Sequence, residues 1–162
     1  MKVRPLAAAR PSKLYRLTKA AHAATAATGA GGLVAAGRWH EAGRPVVYLA
    51  GAFSLAVLEL FVHTGRRGLG VPLVAFEVEV PDAIPVEEPA SLPRDWSQEP
   101  PPRATQRLGS AWLAAASAPL LRVPSRLSPF EWNYVLNPAH PLAGEFGFGP
   151  ARPWAFDARM GR

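Results

Sequence analysis

Alternating apolar and polar residues mark two strands in the first half of the chain. Residues 14–17 alternate over one short segment, and residues 71–80 carry apolar side chains at every second position, with glutamates between several of them. Successive side chains of a strand point to opposite faces, so a period of two predicts strands with one buried face. We expect the second of these strands to be half exposed.

The longest apolar stretch, residues 46–62, predicts a buried strand followed by a helix. Residues 46–49 form the strand, and the helix runs from a cap at Ser54 to about residue 63. Seventeen residues are at the lower limit for a bilayer span, and Glu59 lies inside the stretch. We therefore expect this stretch to lie in the protein interior, and we expect no membrane partner.

The remaining elements are short and follow one another without a regular βαβ rhythm. An alanine- and glycine-rich stretch, residues 20–37, predicts a weak helix and then a flexible loop. Further periodic segments predict a helix at 105–117 and strands at 121–123, 133–136 and 146–148. This mixture predicts an α+β fold, with mixed or antiparallel sheets and flanking helices.

Residues 81–102 contain seven prolines in 22 positions. Proline lacks the backbone N–H that helices and strand ladders use, so the composition predicts an irregular segment. We expect a long surface excursion that lies on the domain, anchored by Trp96, and no domain boundary. The chain is then a single compact domain, residues 1–162, with its core at about 14–160.

Composition and charge exclude some classes of protein and leave others open. The 162 residues contain no cysteine, which excludes a disulfide framework and a zinc–thiolate site and agrees with a cytoplasmic location. Outside the acidic segment 77–99, there are 17 basic and five acidic residues. Such a surface suits nucleic acid, a nucleotide phosphate or an acidic protein, and it equally fits solubility charge in an arginine-rich chain.

Glu59 is the strongest single indication of a functional site. Its neighbours in residues 53–62 are apolar almost all round the predicted helix. A carboxylate in such surroundings is unfavourable unless it is paired or opens onto a cleft. The structural alternative is pairing with His63, one turn later, or with an arginine.

Four other residues are candidates with weaker individual evidence. Arg38 leaves a glycine-rich loop, where its planar fork suits a pyrophosphate, although a surface arginine explains it equally well. Tyr48 lies in a predicted buried strand, where a core aromatic with a tethered hydroxyl is the simpler interpretation. Arg16, in a strand, must reach solvent or an anion, whereas a lone Ser125 after a proline is most often a turn residue.

Several familiar kinds of site have no signature in this sequence. The histidines, at positions 22, 40, 63 and 140, show no metal-ligand spacing, so no metal is expected. The glycines form neither the dinucleotide fingerprint GxGxxG nor the phosphate-binding GxxxxGK[ST] pattern. GxSxG is absent as well, which argues against a serine hydrolase.

A set of short phrases, taken in order, resembles the RES-domain family. The phrases are LYR at 14–16, GRW at 37–39, PVVYL at 45–49, AVLE at 56–59, VPS at 123–125, NYVLNPAHP at 133–141 and FDAR at 156–159. The family often has two glycines and then an asparagine around its arginine–tryptophan pair, whereas this chain has Ala36-Gly37-Arg38-Trp39-His40. The imidazole could change how this loop holds the ribose or the nicotinamide.

The resemblance implies a fold, a reaction and a partner. Members are typically toxins of bacterial toxin–antitoxin pairs that resemble ADP-ribosyltransferases and consume NAD by phosphorolysis, hydrolysis or transfer of ADP-ribose to a protein. It implies cleavage of the nicotinamide–ribose bond of NAD, no metal, and a helix-turn-helix antitoxin that occupies the active site. The implied catalytic residues are Glu59, Tyr48 and Ser125, and the implied NAD-binding residues are Arg38, Arg16, Trp39 and His40.

The competing hypothesis is a non-enzymatic basic module that binds nucleic acid or an acidic partner. Arg66 and Arg67, together with the basic remainder of the chain, favour it. No pattern of a known nucleic-acid-binding module is present, and aromatic residues among the basic ones are sparse. Under the family interpretation, no direct contact with nucleic acid is expected.

Overall fold

An eight-stranded sheet is the framework of the computed structural model, which describes residues 10–161. Its strands are β1 (Lys13–Lys19), β2 (Val47–Ala50), β3 (Leu73–Glu79), β4 (Val86–Glu87), β5 (Leu120–Pro124), β6 (Trp132–Leu136), β7 (Gly147–Phe148) and β8 (Arg152–Trp154). They lie in the order β4-β5-β6-β2-β1-β3-β7, and β8 also pairs with β3. The β4–β5 pair is parallel and the other pairs are antiparallel, so the sheet is mixed, as predicted.

Between residues 10 and 161, three α-helices and four 3-10 turns accompany the sheet. The helices are α1 (Ala30–Val34), α2 (Phe53–Thr64) and α3 (Arg103–Ala115), and the turns are Ala20–Thr25, Gly65–Gly68, Pro141–Glu145 and Ala158–Gly161. Apolar residues of α2 pack against β1, β2 and β3, while those of α3 pack against β5 and β6. A third cluster joins the central strands to the turns and loops that cover them. The predicted α+β single domain is confirmed.

Strand β3 shows the alternation that its sequence predicts. Val74, Phe76 and Val78 are buried, whereas Glu79 is exposed. The strands predicted at the other five places are also present, within a few residues of the expected bounds. Strands β4 and β8 were not predicted, because β4 lies inside the proline-rich segment and β8 contains Pro153, and proline argues against a strand in a sequence.

Helix α2 differs from its prediction at its start and on its outer face. It begins at Phe53 after an extended Ala52, and no side chain caps it, so the predicted Ser54 cap is wrong. Leu55 is buried, but Val62 is 53% exposed, so the helix is only partly interior. No helix among residues 10–161 is both long and apolar enough to cross a membrane.

The proline-rich segment lies on the domain, as predicted, and is also built into it. Ile84 is 2% exposed, and Val86 and Glu87 form β4 beside β5. The Trp96 ring stacks on the Trp39 ring with 6.2 Å between their centroids. The prediction that Trp96 anchors the segment is therefore confirmed.

The glycine-rich stretch contains a short helix, α1, where the sequence predicts a loop, and several of its glycines are closely packed. A Cβ on Gly37 would lie 2.6 Å from the Tyr48 hydroxyl and 2.9 Å from the His40 ring. The next residues along the chain, Arg38 and Trp39, are thereby placed against the end of β2. At Gly37 the missing side chain therefore allows close approach of neighbouring groups.

Helix α3 supports the same loop from the other side. Gln106 donates to the Gly37 carbonyl (3.1 Å), and the Ser110 hydroxyl accepts from the Glu41 N–H (2.9 Å). Between them, Gly109 lies so close to Trp39 that a Cβ would overlap the Trp39 carbonyl oxygen. Helix α3 thus sets the position of the loop, although none of its side chains lines the cleft that this loop borders.

We expect Gly109→Ala to lower the free energy of unfolding by about 1–3 kcal/mol, because the methyl group must displace the Trp39 backbone. Gly144→Ala is the matched control, since a Cβ there meets no atom within 4 Å. Urea unfolding of both variants measures the difference. Equal stability of the two variants would show that the loop shifts without cost.

Candidate active site

A cleft of about 730 Å³ opens between α2, the central strands and the loop before β2. Its volume is typical of a small-molecule site. Six residues singled out in the sequence line it: Arg16, Arg38, Trp39, His40, Tyr48 and Glu59. Ser125, the seventh, does not line the cleft and reaches it through its hydrogen bond to Glu59. The structure therefore brings together side chains that come from β1, the glycine-rich loop, β2 and α2.

Glu59 is held in the cleft by two side chains from the far part of the chain. Its Oε1 atom accepts hydrogen bonds from the Ser125 hydroxyl (2.9 Å) and from the Asn133 amide (2.6 Å). Neither His63 nor an arginine pairs with it in the described chain, so the structural alternative is wrong. No side chain among residues 10–161 is hydrogen-bonded to Oε2, which leaves that oxygen for a ligand.

Ser125 acts on Glu59 from a buried turn. Its hydroxyl accepts from the backbone N–H groups of Leu127 and Ser128, both at 3.1 Å, and donates to Glu59. The residue is 4% exposed. The hydroxyl is therefore committed to fixing the turn and the carboxylate, an arrangement suited to orienting Glu59 and unsuited to nucleophilic attack.

Asn133 is the residue of this site that the sequence analysis did not single out. It lies on β6, lines the cleft and makes the shorter of the two hydrogen bonds to Glu59. It opens the phrase 133–141 that carries the family resemblance. A polar residue at the start of an otherwise apolar strand was the available signal.

The Tyr48 hydroxyl is fixed by two groups of the loop, the Trp39 N–H and the His40 ring. It accepts from the Trp39 N–H (3.1 Å) and lies 2.8 Å from His40 Nδ1, while His40 Nε2 lies 2.9 Å from the Ala35 carbonyl. A carbonyl only accepts, so Nε2 carries the proton and the phenol donates to Nδ1. Burial raises the pKa of Tyr48 above its usual value, against the lowering effects of the Trp39 N–H and the Arg38 charge.

The two neighbours of Tyr48 are themselves buried. Trp39 is 2% exposed, and its ring packs against Trp96 and the α3 residue Trp112. His40 is 3% exposed, and both of its ring nitrogens are hydrogen-bonded to protein groups. Contact of either side chain with NAD stays a prediction. In the structure, Trp39 and His40 contact Tyr48 and hold it in position.

We expect the protein to lose stability in mild acid through His40. Burial lowers the pKa of His40, partly opposed by its bond to the Ala35 carbonyl. The unfolded chain therefore takes up this proton first, near a pH of about 6.5, and stability falls as the pH drops through the lowered folded-state pKa. Urea midpoints should decline less in His40→Gln than in the wild type between about pH 7 and pH 5.

The control for that experiment is His22→Gln, since His22 is exposed. Its midpoints should decline with pH as in the wild type. A decline that is the same in the wild type, His40→Gln and His22→Gln would assign the acid sensitivity to other groups. Full loss of folding in His40→Gln would instead show that the amide fails to replace the ring.

Arg16 brings a buried positive charge to the cleft. One of its terminal nitrogens donates to the Tyr48 carbonyl (3.0 Å), and within the described chain its buried Nε has no partner. Burial lowers the pKa of Arg16 to about 10, so the side chain is still a cation at neutral pH. A desolvated cation with an unused donor favours an anionic ligand.

Arg38 is held by the proline-rich segment. Its Nη1 donates to the carbonyl oxygens of Trp96 (2.7 Å) and Gln98 (2.8 Å), and its Nη2 donates to Glu99 Oε2 (2.9 Å). The side chain is 15% exposed. The guanidinium therefore faces the cleft in a fixed orientation.

Together these groups form a ligand site centred on one carboxylate. Negative charge from Glu59 lies in the same cleft as positive charge from Arg16 and Arg38. Such a site suits a ligand that carries anionic groups and a centre on which positive charge develops. In the described part of the chain, no three histidine, aspartate or glutamate side chains come close enough to hold a metal ion.

The fold and the cleft define an α+β protein with a carboxylate-centred ligand site. The chain belongs to the RES domain family, whose model matches residues 13–157. The resemblance seen in the sequence is thereby confirmed over nearly the whole chain.

Two curated proteins are similar to this chain in sequence, and one solved structure is similar to it in fold. The Prs ADP-ribosylating toxin of Sphingobium sp. (strain YBL2) is 39% identical over 137 residues, 82% of this chain and 85% of that protein. Toxin Res of Photorhabdus laumondii is 39% identical over 126 residues, 77% of this chain and 81% of that protein. A chain of the M. tuberculosis MbcT–MbcA toxin–antitoxin complex matches with a TM-score of 0.73 and 18% identity, covering 89% of this chain and 84% of that one. At that identity, the structural match shows the likeness of fold.

Proposed function

We propose that this protein is the toxin of a toxin–antitoxin pair and that it cleaves the nicotinamide–ribose bond of NAD. The observation that carries the proposal is Glu59, held in the cleft through one oxygen with the other available. Family membership supports it, as does the relative named an ADP-ribosylating toxin, because ADP-ribosyl transfer from NAD breaks this bond. NAD is then the substrate, and no metal takes part.

The reaction needs charge stabilisation more than proton transfer. When the bond between the ribose C1′ and the nicotinamide nitrogen breaks, its electron pair neutralises the pyridinium, and positive charge develops on the sugar. Water, inorganic phosphate or a protein side chain then supplies an electron pair to C1′ and gives up a proton if it carries one. The Glu59 carboxylate stabilises the positive charge and accepts a hydrogen bond from a ribose hydroxyl.

The other residues of the cleft orient the substrate or the carboxylate. Ser125 and Asn133 fix Glu59 by binding its Oε1 atom. The Tyr48 ring flanks the nicotinamide, in a position set by Trp39 and His40. Arg16 and Arg38 bind the pyrophosphate, because the planar, forked guanidinium group matches its oxygens.

An antitoxin is the proposed protein partner, and the rim of the cleft offers it an apolar surface. Leu33 and Val34 on α1 are 53% and 85% exposed and follow directly on Gly32, which lines the cleft, while Val62 on α2 lines the cleft itself and is 53% exposed. Exposed apolar residues grouped around a site are typical of a surface that a partner covers. A helix-turn-helix antitoxin and a cytoplasmic location belong to the same proposal.

The test is to mix the purified protein with NAD and analyse the products with and without inorganic phosphate. Release of nicotinamide is expected, together with ADP-ribose, its phosphorylated form or a modified protein, depending on the acceptor. Each product identifies a different acceptor. An intact NAD pool, combined with DNA binding that weakens steeply with salt, would overturn the proposal in favour of a basic binding module.

A further inference from the structure

One carboxylate at the rim of the cleft is shared by two arginines. Glu99 Oε2 lies 2.9 Å from Arg38 Nη2 and 3.6 Å from Arg126 Nη1. All three residues line the cleft. Two guanidinium groups therefore converge on a single oxygen, as they would on an oxygen of a phosphate group.

One set of contacts orients the Arg38 guanidinium, and a different contact, with Glu99, balances its charge. Both hydrogens of Nη1 are taken by backbone carbonyls, at Trp96 and Gln98, and these bonds orient the guanidinium. Glu99 binds the remaining edge, through Nη2. The side chain of Arg38 is 15% exposed, whereas that of Glu99 is 56% exposed. Glu99 can therefore turn into solvent while Arg38 stays fixed.

Arg126 is presented by the same turn that holds the catalytic carboxylate. It lies between Ser125 and Leu127, and the Ser125 hydroxyl accepts the N–H of Leu127 while it donates to Glu59. A turn closed by a serine hydroxyl fixes the backbone on which Arg126 stands. The backbone of Arg126 is thus held in place relative to Glu59, although its side chain is 37% exposed.

We propose that Arg126 joins Arg16 and Arg38 at the pyrophosphate of the dinucleotide, with Arg38 and Arg126 holding one phosphate oxygen between them, and that Glu99 occupies this two-arginine position until the ligand displaces it. The identity of the ligand rests on the proposed function; the anion site rests on the contacts above. In this proposal Arg126 binds the substrate, and Glu99 competes with the substrate for the two arginines. A pyrophosphate carries more negative charge than one carboxylate, so it displaces Glu99.

The first test is the affinity of Glu99→Gln for ADP-ribose, measured by calorimetry. Removing the competing charge should tighten binding by about 3-fold, the effect expected of one exposed ion pair. Asp82→Asn removes the same charge from an exposed position of the same segment and should leave the affinity unchanged. Nicotinamide riboside, which has no pyrophosphate, should bind both variants as it binds the wild type.

The second test is Arg126→Gln, which should weaken ADP-ribose binding by about tenfold, because a charged hydrogen-bond donor to phosphate is lost. Arg107→Gln removes the same charge from an exposed position on α3 and serves as its control. Far-UV circular dichroism of each variant checks that the fold is retained.

The outcomes separate this proposal from the proposed function. Unchanged ADP-ribose affinity in Glu99→Gln or in Arg126→Gln, relative to the controls, overturns the anion site even if NAD is cleaved. Equal tightening of ADP-ribose and nicotinamide riboside by Glu99→Gln also overturns it, because that result means a wider cleft. The expected affinities without any NAD cleavage support the anion site and overturn the proposed reaction.

Discussion

Glu59→Gln is expected to lower NAD cleavage by about 100-fold or more without unfolding the protein. The amide has the same shape as the carboxylate, and its oxygen can still accept from Ser125 and Asn133. What disappears is the negative charge that stabilises the developing positive charge on the ribose. The measurement is the rate of nicotinamide release, with thermal unfolding of the variant as the check on folding.

The matched control for Glu59→Gln is Glu145→Gln. Glu145 is exposed, ends the 3-10 turn Pro141–Glu145 and does not line the cleft. The control variant should cleave NAD at the wild-type rate. Full turnover by a folded Glu59→Gln protein would remove Glu59 from the mechanism.

Asn133→Asp is expected to slow NAD cleavage by about tenfold or more at neutral pH, because it places a second carboxylate against Glu59. The Asn133 amide nitrogen lies 2.6 Å from Glu59 Oε1, a distance at which two carboxylates share a proton. A shared proton removes the charge that the reaction needs. The acid limb of the pH–rate profile should therefore move to higher pH, and activity should recover as the pH rises.

Asn133→Ala separates this charge effect from the loss of a hydrogen bond. It removes one donor to Glu59 without adding charge, so kcat should fall, and the acid limb should move less than in Asn133→Asp because a lost hydrogen bond disfavours the ionised carboxylate less than a second negative charge does. The comparison requires only profiles of nicotinamide release against pH. Superimposable profiles for Asn133→Asp and Asn133→Ala would mean that the amide acts through packing alone.

The local parts of this fold were readable from the sequence. The alternation in β3 and the apolar run of β2 predicted strands correctly, because one buried face imposes its period on the residues. The β4 and β8 strands escaped notice because their pairing depends on longer neighbours. The start of α2 was misplaced because Ser54 is a good capping residue by type, yet it lies inside the helix.

The candidate site was only partly readable. Glu59 stood out because a carboxylate among apolar neighbours needs a reason. Its partners could not be derived, since Ser125 and Asn133 lie 66 and 74 residues further along the chain. The pairing of Arg38 with Glu99 is equally remote, because it depends on how the proline-rich segment folds back over the loop.

The proline-rich segment has a consequence for anyone who engineers this domain. By composition it resembles a dispensable insertion, but the carbonyls of Trp96 and Gln98 are what hold the Arg38 side chain. Removing residues 96–99 to obtain a smaller protein would delete the Trp96 ring that stacks on Trp39 and every hydrogen-bond acceptor that holds the Arg38 guanidinium among the described residues. A shorter loop in this region would need other hydrogen-bond acceptors to keep the Arg38 side chain in its place in the cleft.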